Sequence, residues 1–313
     1  MVEWTFFLHS LSVLLLRLFL LRTSAAAEGP AFTFMNNCRW TVWPGILSGA
    51  GRDQLSTTGF ELPSGSLRSI EAPAGWSGRL WARTGCVFEA SGGGSCATAD
   101  CGTGEVECRG KGAAPPATLA EFTLGGGAGE KDFYDVSLVD GYNLPMVVQG
   151  GGGKCATTGC AEDVNARCPA ELRVGEGAAA ACRSACDAFG RPEFCCSGEF
   201  ASPAACRPTA YSELFKTACP KSYSYAFDDA TSIFTCAGAG EFTVIFCPDA
   251  TTSSSKSPAN PRTSPTTTGD VTVESDAWLA SLVADSGSER NSALPSMLPS
   301  MAFPFFVLLH FVA

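Results

Sequence analysis

Sixteen cysteines, all between Cys38 and Cys247, constrain this 313-residue chain more than any other feature. None falls near either end or in the Ser/Thr-rich stretch after residue 250. An even number confined to one part of a chain reads as a disulfide framework, which needs an oxidising compartment. Metal binding is the competing use of clustered cysteines, and it fails on ligands. The only histidines are His9 and His310, both in ends that are expected to be removed. No metal and no cofactor is implied.

Those ends are hydrophobic. Residues 6–21 are apolar except for His9, Ser10, Ser12 and Arg17, and they run into Ala25-Ala26-Ala27. Arg17 breaks the run below the roughly 18–20 residues a spanning helix needs. Residues 1–27 therefore read as a signal peptide cleaved near Ala27. At the other end, Met301 to Ala313 reads MAFPFFVLLHFVA, interrupted by Pro304, with no Lys or Arg after it. A stop-transfer helix needs more length and a basic cytoplasmic flank. A short apolar tail, a spacer and small residues upstream form the pattern of a glycosylphosphatidylinositol (GPI) attachment signal. Asn291 is the expected attachment residue, with Ser286 and Ser288 as alternatives, and 292–313 as the propeptide.

Residues 28–250 are left as the folded part. The mature chain then has no histidine, so neither a Ser-His-Asp nor a Cys-His relay is available. Paired cysteines supply no thiolate. Carboxylates, Lys and Tyr remain, which narrows an enzymatic reading mainly to glycoside hydrolysis. The chain carries 31 Asp+Glu against 21 Lys+Arg, so nucleic acid and anionic membrane surfaces repel it. A neutral or cationic partner fits better.

Short alternating runs separated by Gly, Pro and Asn predict strands at 32–34, 41–43, 66–70, 79–84, 118–124, 133–139, 231–236 and 241–247. Such spacing argues for a β-sandwich or barrel. Residues 155–219 hold nine cysteines and little strand periodicity; a short helix within 176–189 is the one regular element expected there. Residues 251–291 open as TTSSSKSPANPRTSPTTT, a linker that cannot form a core and suits O-glycosylation. No Asn-x-Ser/Thr sequon occurs, which excludes N-glycosylation.

Residues 92–108 read GGGSCATADCGTGEVEC. PPATLAEFTL at 115–124, DFYDVSLVDGYNLPM at 132–146, CPAEL at 168–172 and FCC at 194–196 follow. YSYAFDDATSIFTC at 223–236 and FCP at 246–248 complete the series. In order and spacing, from Phe32 to Pro248, the chain resembles the thaumatin-like proteins. Sixteen cysteines allow about two million pairings; the resemblance implies one. It is Cys38–Cys247, Cys86–Cys96, Cys101–Cys108, Cys155–Cys236, Cys160–Cys219, Cys168–Cys182, Cys186–Cys195 and Cys196–Cys206. The implied fold is mainly β, a flattened sandwich with two smaller disulfide-rich lobes near 86–110 and 155–219, and a monomer is expected.

The resemblance also implies an acidic cleft lined by Arg79, Glu121, Asp135, Asp140 and one of Asp228 or Asp229, of which Asp228 is the choice. Strand parity lets Arg79 face outward while Leu80 packs, and sets Glu121 opposite to Ala120 and Phe122. Asp135 and Asp140 are five apart and cannot share a face of a straight strand, so Asp140-Gly141 is expected in a turn. The implied function is that of a cell-surface, wall-associated defence protein that binds β-1,3-glucan without turnover. Membrane contact is expected through the lipid anchor only. The alternatives are a weak endo-β-1,3-glucanase using Glu121 and Asp135, or a protein-binding or structural wall protein. Permeabilisation of anionic bilayers, also suggested by the resemblance, is disfavoured by the acidic charge.

Overall fold

The structure, a computed structural model, describes residues 30–89, 93–127, 129–151 and 155–249, all inside the compact unit Met1–Thr267. The signal 1–27, the linker 251–291, Asn291 with Ser286 and Ser288, and the tail 292–313 lie outside the described residues.

The first strands are β1 (Ala31–Asn36), β2 (Trp43–Ser48), β3 (Leu67–Glu71), β4 (Ser77–Arg83), β5 (Val87–Phe88), β6 (Gly94–Ser95) and β7 (Leu119–Thr123). They are followed by β8 (Lys131–Ser137), β9 (Met146–Gly150), β10 (Thr158–Cys160), β11 (Arg173–Val174), β12 (Ala181–Cys182), β13 (Phe234–Ala237) and β14 (Glu241–Phe246). Two five-stranded sheets result, ordered β10-β9-β14-β1-β3 and β13-β8-β7-β4-β2. Alternation along each strand sends Phe32, Phe34, Phe242, Val244 and Phe246 of the first sheet inward. Ile46, Leu80, Ala120, Phe122, Tyr134 and Val136 of the second meet them in one buried cluster. Phe122 joins the sheets, its ring centroid 4.7 Å from Phe32 and 5.2 Å from Phe242. Each large side chain buried in this way contributes about 1.5–3 kcal/mol. The protein is a β-sandwich, as the strand spacing predicts.

β1 and β14 lie parallel at the centre of the first sheet, in register from Ala31↔Glu241 to Asn36↔Phe246. Cys38 and Cys247 follow these strands and are bonded to each other, so the bridge clamps the first and last strands among the described residues. All sixteen cysteines are paired, in the eight combinations given above.

Two satellite clusters account for the lobes. Trp81 leaves the outward face of β4 to pack with Ala99, Cys101, Cys108, Ala117 and Leu119. In the long-loop lobe Leu138, Tyr142, Val164, Leu172 and Phe215 surround Cys160, Cys168, Cys182 and Cys219.

Some boundaries differ from the sequence reading. β2 runs over Trp43–Ser48, whereas Val42 makes only an isolated bridge to Leu62. The short helix expected within 176–189 occupies only the end of that range. Gly175 and Gly177 take positive φ, and the Cys168–Cys182 bridge holds β12 against β11. A 3-10 turn at Gly177–Ala179 and the short helix α1 (Ala185–Phe189) remain, α1 capped by the Ser184 hydroxyl, which accepts from the Asp187 amide. Two more helices, α2 (Pro192–Cys195) and α3 (Ala210–Ala218), follow in the lobe, α3 opening on a Thr209–Ser212 capping box. The strand expected at 231–236 begins only at Phe234, because Asp229–Ser232 forms a helical turn, α4. Inside it the Ser232 hydroxyl accepts from Lys216 at 2.8 Å.

Candidate functional site

The outward face of the second sheet carries a charged row. Antiparallel register sets Arg79 of β4 opposite Glu121 of β7, and Glu121 opposite Asp135 of β8. Odd-numbered residues of β4, β7 and β8 share this face because the even-numbered Leu80, Ala120, Phe122, Tyr134 and Val136 fill the core. Arg79 Nε donates to Glu121 Oε1 at 2.8 Å, with both side chains largely enclosed. Asp135 is 1 % exposed, and neither of its carboxylate oxygens has a hydrogen-bond partner among the described residues.

A buried carboxylate without donors is held in its neutral form. Burial pushes Asp135 well above the ordinary carboxyl range, the neighbouring Glu121 adds to this, and Arg79 opposes it. Burial also raises Glu121, with Arg79 pulling the other way. Burial thus disfavours a full negative charge on both acids at once, and Arg79 opposes that trend.

Asp140 lies in the turn after β8, where Gly141 N donates to the Leu138 carbonyl at 3.0 Å. Gly141 has φ +91°, and a Cβ there would stand 2.7 Å from the Cys182 carbonyl oxygen and 2.8 Å from Pro116 Cβ. Only glycine allows the chain to reverse so close to the long-loop lobe. Burial raises Asp140, Arg79 opposes the rise, and Asp187 of α1 reinforces it. Asp140 thus faces both the row and the lobe.

The two neighbouring aspartates at 228 and 229 point to different partners. Asp228 accepts from Lys216 Nζ at 2.8 Å and from the amide and hydroxyl of Ser224; it pins α3 to the segment leading into α4. Asp229 accepts from the Tyr223 hydroxyl at 2.8 Å and is the aspartate whose charge acts on Asp135. Tyr223 is buried beside Ser137, and burial together with Asp135 and Asp229 pushes its hydroxyl upward. The structure thus brings Arg79, Glu121, Asp135 and Asp140 together; of the 228/229 pair, Asp229 acts electrostatically on Asp135, whereas Asp228 is bound to Lys216 and Ser224. Asp187 and Tyr223 belong to the same surroundings and have no signal in the sequence pattern beyond the Ser184-x-x-Asp187 cap. A pocket in the long-loop lobe, lined in part by Val139, Cys186, Phe194, Arg207 and Tyr225, adjoins residues flanking Asp140 and Asp187. None of Glu121, Asp135, Asp140, Asp228 and Asp229 lines it.

Chemically, the arrangement can do two things. Directly opposed residues have Cβ atoms about 4.5–5.5 Å apart, so Glu121 and Asp135 could bring their carboxyl groups to the roughly 5–5.5 Å of a retaining glycosidase pair. Yet Asp135 is 1 % and Glu121 8 % exposed, so neither reaches an external glycosidic oxygen without movement. The partly exposed acceptors around them, Asp140, Asp187 and Asp229, can instead take hydrogen bonds from a neutral, hydroxyl-rich ligand. Among the described residues no group of His, Cys, Asp and Glu is arranged to hold a metal ion.

The electrostatics predict an unusual pH response. Native Asp135 keeps a proton that the unfolded chain releases above the ordinary value of 3.8. Stability therefore falls as pH rises from there through the raised native value. Glu107 works in the opposite sense. Hydrogen bonds from Thr57, Thr58 and Gly59 hold it below 4.5 against the pull of burial, so its contribution is present above 4.5 and lost as pH falls through its lowered native value. Asp135→Asn is expected to melt with the wild type at pH 3.8 and above it at neutral pH, a gap that calorimetry across the range would follow. Melting curves that stay together at every pH would mean that Asp135 is charged in the native state.

Comparison with known proteins identifies the family. Residues 36–248 match the Thaumatin family. The chain is 60% identical over 230 residues to "Thaumatin-like protein 1" of Arabidopsis thaliana, covering 71% of this chain and 87% of that one. It is 51% identical over 242 residues to "Pathogenesis-related thaumatin-like protein 3.5" of Cryptomeria japonica, covering 76% and 98%. A protein of Prunus avium named "Glucan endo-1,3-beta-glucosidase" is 53% identical over 226 residues, covering 71% and 92%. The sandwich, its eight bridges and a match across nearly all of the described residues lead to one conclusion: the chain belongs to the thaumatin family.

Proposed function

We propose that the protein is a wall-associated defence protein that binds β-1,3-glucan or a related polysaccharide at the acidic row without turning it over. The observation that carries this reading is the enclosed Arg79–Glu121–Asp135 row, in which burial raises both acids, flanked by the partly exposed Asp140, Asp187 and Asp229. A site in which burial and one arginine suppress charge favours a neutral ligand over a polycation. Carboxylate acceptors beside it suit sugar hydroxyls. The relative named a pathogenesis-related protein supports the defence role, and the one named a glucosidase supports the glycan. The acid of the pair chosen here is Asp229 in place of Asp228, because Asp228 is bound up with Lys216 and Ser224.

Retention on insoluble β-1,3-glucan tests the reading. Wild type is expected in the pellet, and Asp140→Asn with Asp229→Asn is expected largely in the supernatant. Equal retention of the two would remove the row from the account.

The direct opposition of Glu121 and Asp135 favours, as a second reading, slow endo-β-1,3-glucanase action. Reducing-end release from laminarin that is lost in Glu121→Gln would establish it. We further propose that the tail 292–313 is exchanged for a lipid anchor at Asn291, Ser286 or Ser288, which holds the protein at the outer face of the plasma membrane. Release from intact cells by a phosphatidylinositol-specific phospholipase C is the expected outcome, and protein that stays bound after treatment contradicts the anchor.

A further inference from the structure

The charged row is not the only row on the outward face of the second sheet. Two residues further along, register aligns Ser77 of β4, Thr123 of β7, Phe133 of β8 and Thr235 of β13. Its offset from the charged row is two strand residues, about 6.6–6.8 Å, close to the length of one sugar ring.

Phe133 is unlike its neighbours. Tyr134 and Val136 turn into the core, so Phe133 points outward on the same face as Asp135. It is half-buried, belongs to none of the three apolar clusters, and makes no ring contact among the described residues. Phe122, Tyr134 and Phe234, by contrast, are all held by other rings. The hydroxyls of Ser77, Thr123 and Thr235 form no hydrogen bond among the described residues. Ser77 and Thr123 are partly exposed and Thr235 is exposed. An aromatic face set in line with available hydroxyls matches a pyranose ring, which offers an apolar face of C–H groups and a rim of hydroxyls.

We propose that Phe133, with Ser77, Thr123 and Thr235, forms a second sugar subsite that continues the glycan site from the acidic row along β8. The shelf selects for chain length: a short saccharide fills the acidic row alone, and a longer one also stacks on Phe133. The proposal rests on the glucan-binding reading and adds to it a residue outside the acid set.

Affinities of the full mature chain for a ladder of β-1,3-linked gluco-oligosaccharides test this, with Phe133→Leu and Phe133→Tyr alongside the wild type. Leucine keeps an apolar side chain but removes the ring face; tyrosine restores the face. Melting temperatures of both variants, compared with wild type, show that the fold is kept. For wild type, affinity is expected to rise as the ligand becomes long enough to span both rows. Phe133→Leu is expected to lose about tenfold for the long ligands, the change that follows from removing one aromatic contact. The same variant should bind the short ones as wild type does, and Phe133→Tyr should follow wild type throughout. Long-ligand affinity unchanged in Phe133→Leu, with wild type binding well, overturns the shelf and leaves the acidic row standing. Absence of binding by wild type at every length overturns both.

Discussion

Replacing Cys38 and Cys247 by serine is expected to lower the stability of the fold by about 4 kcal/mol, within the 2–5 kcal/mol typical of native bridges. The melting temperature should fall by roughly 8–16 °C for a domain of this size. The bridge spans 209 residues. On the chain-entropy account a 15-residue loop contributes about 3 kcal/mol and a 100-residue loop about 4.7. The seven other bridges already restrict the denatured chain, which lowers the expectation from the long-loop figure. Its span of 209 residues, against 81 for the next longest, makes this the bridge whose loss most frees the denatured ensemble. Calorimetry of the double serine variant beside a Cys101/Cys108 double variant, whose bridge spans only 7 residues, separates loop length from local packing. An equal or smaller loss at Cys38/Cys247 would mean that the β1–β14 ladder alone secures the closure.

The second large effect is expected at Arg83, which has no solvent exposure. Its guanidinium donates to the carbonyls of Trp43 at 3.0 Å, Pro44 at 3.2 Å, Val106 at 2.6 Å and Glu105 at 3.4 Å. It thereby joins β2 to the loop of the small lobe. Burial lowers its pKa to about 10, and Asp100 and Glu107 work against the shift, so it remains charged at neutral pH. The fit is close on every side, since a Cβ on Gly59 would run into the Val106 carbonyl and Arg83 Nη2. Arg83→Met keeps the length of the stem but strands four carbonyls. Breaking a buried charge network of this kind is expected to cost about 3–5 kcal/mol. The loss should appear first as proteolytic cutting within 86–110 at temperatures where wild type resists. A variant as stable and as resistant as wild type would show that water replaces the guanidinium at no cost.

Much of this was legible in the residues. The sandwich followed from strands with period-two alternation, as in Phe242, Val244 and Phe246, which do line the core. The outward direction of Arg79 and Glu121 followed from the same parity, and the Asp140-Gly141 turn from the impossibility of placing Asp135 and Asp140 on one straight face. What parity could not supply was tertiary. Asp228 and Asp229 are adjacent in the chain, and only Lys216 on α3 decides which is drawn away from the row. Asp187 meets Asp140 across a lobe with no strand register to betray it. The segment 231–236 has good strand residues, yet Lys216 and Tyr223 hold its first part as a helical turn. The short helix expected within 176–189 starts only at Ala185, because the Cys168–Cys182 bridge holds β12 against β11, a constraint that spacing alone does not reveal. Phe133 shows the reverse case. Its outward parity is plain in the alternation of β8, but its lack of aromatic partners appears only once the rings around it are placed.

Calorimetric titration of the mature protein with soluble β-1,3-glucan oligosaccharide, wild type beside Asp140→Asn/Asp229→Asn, tests the central claim most directly. The account predicts saturable binding by wild type and a loss of at least about tenfold in the double variant, the scale set by removing charge-assisted hydrogen bonds. Equal affinities for the two proteins, with both folded by their melting curves, would contradict it.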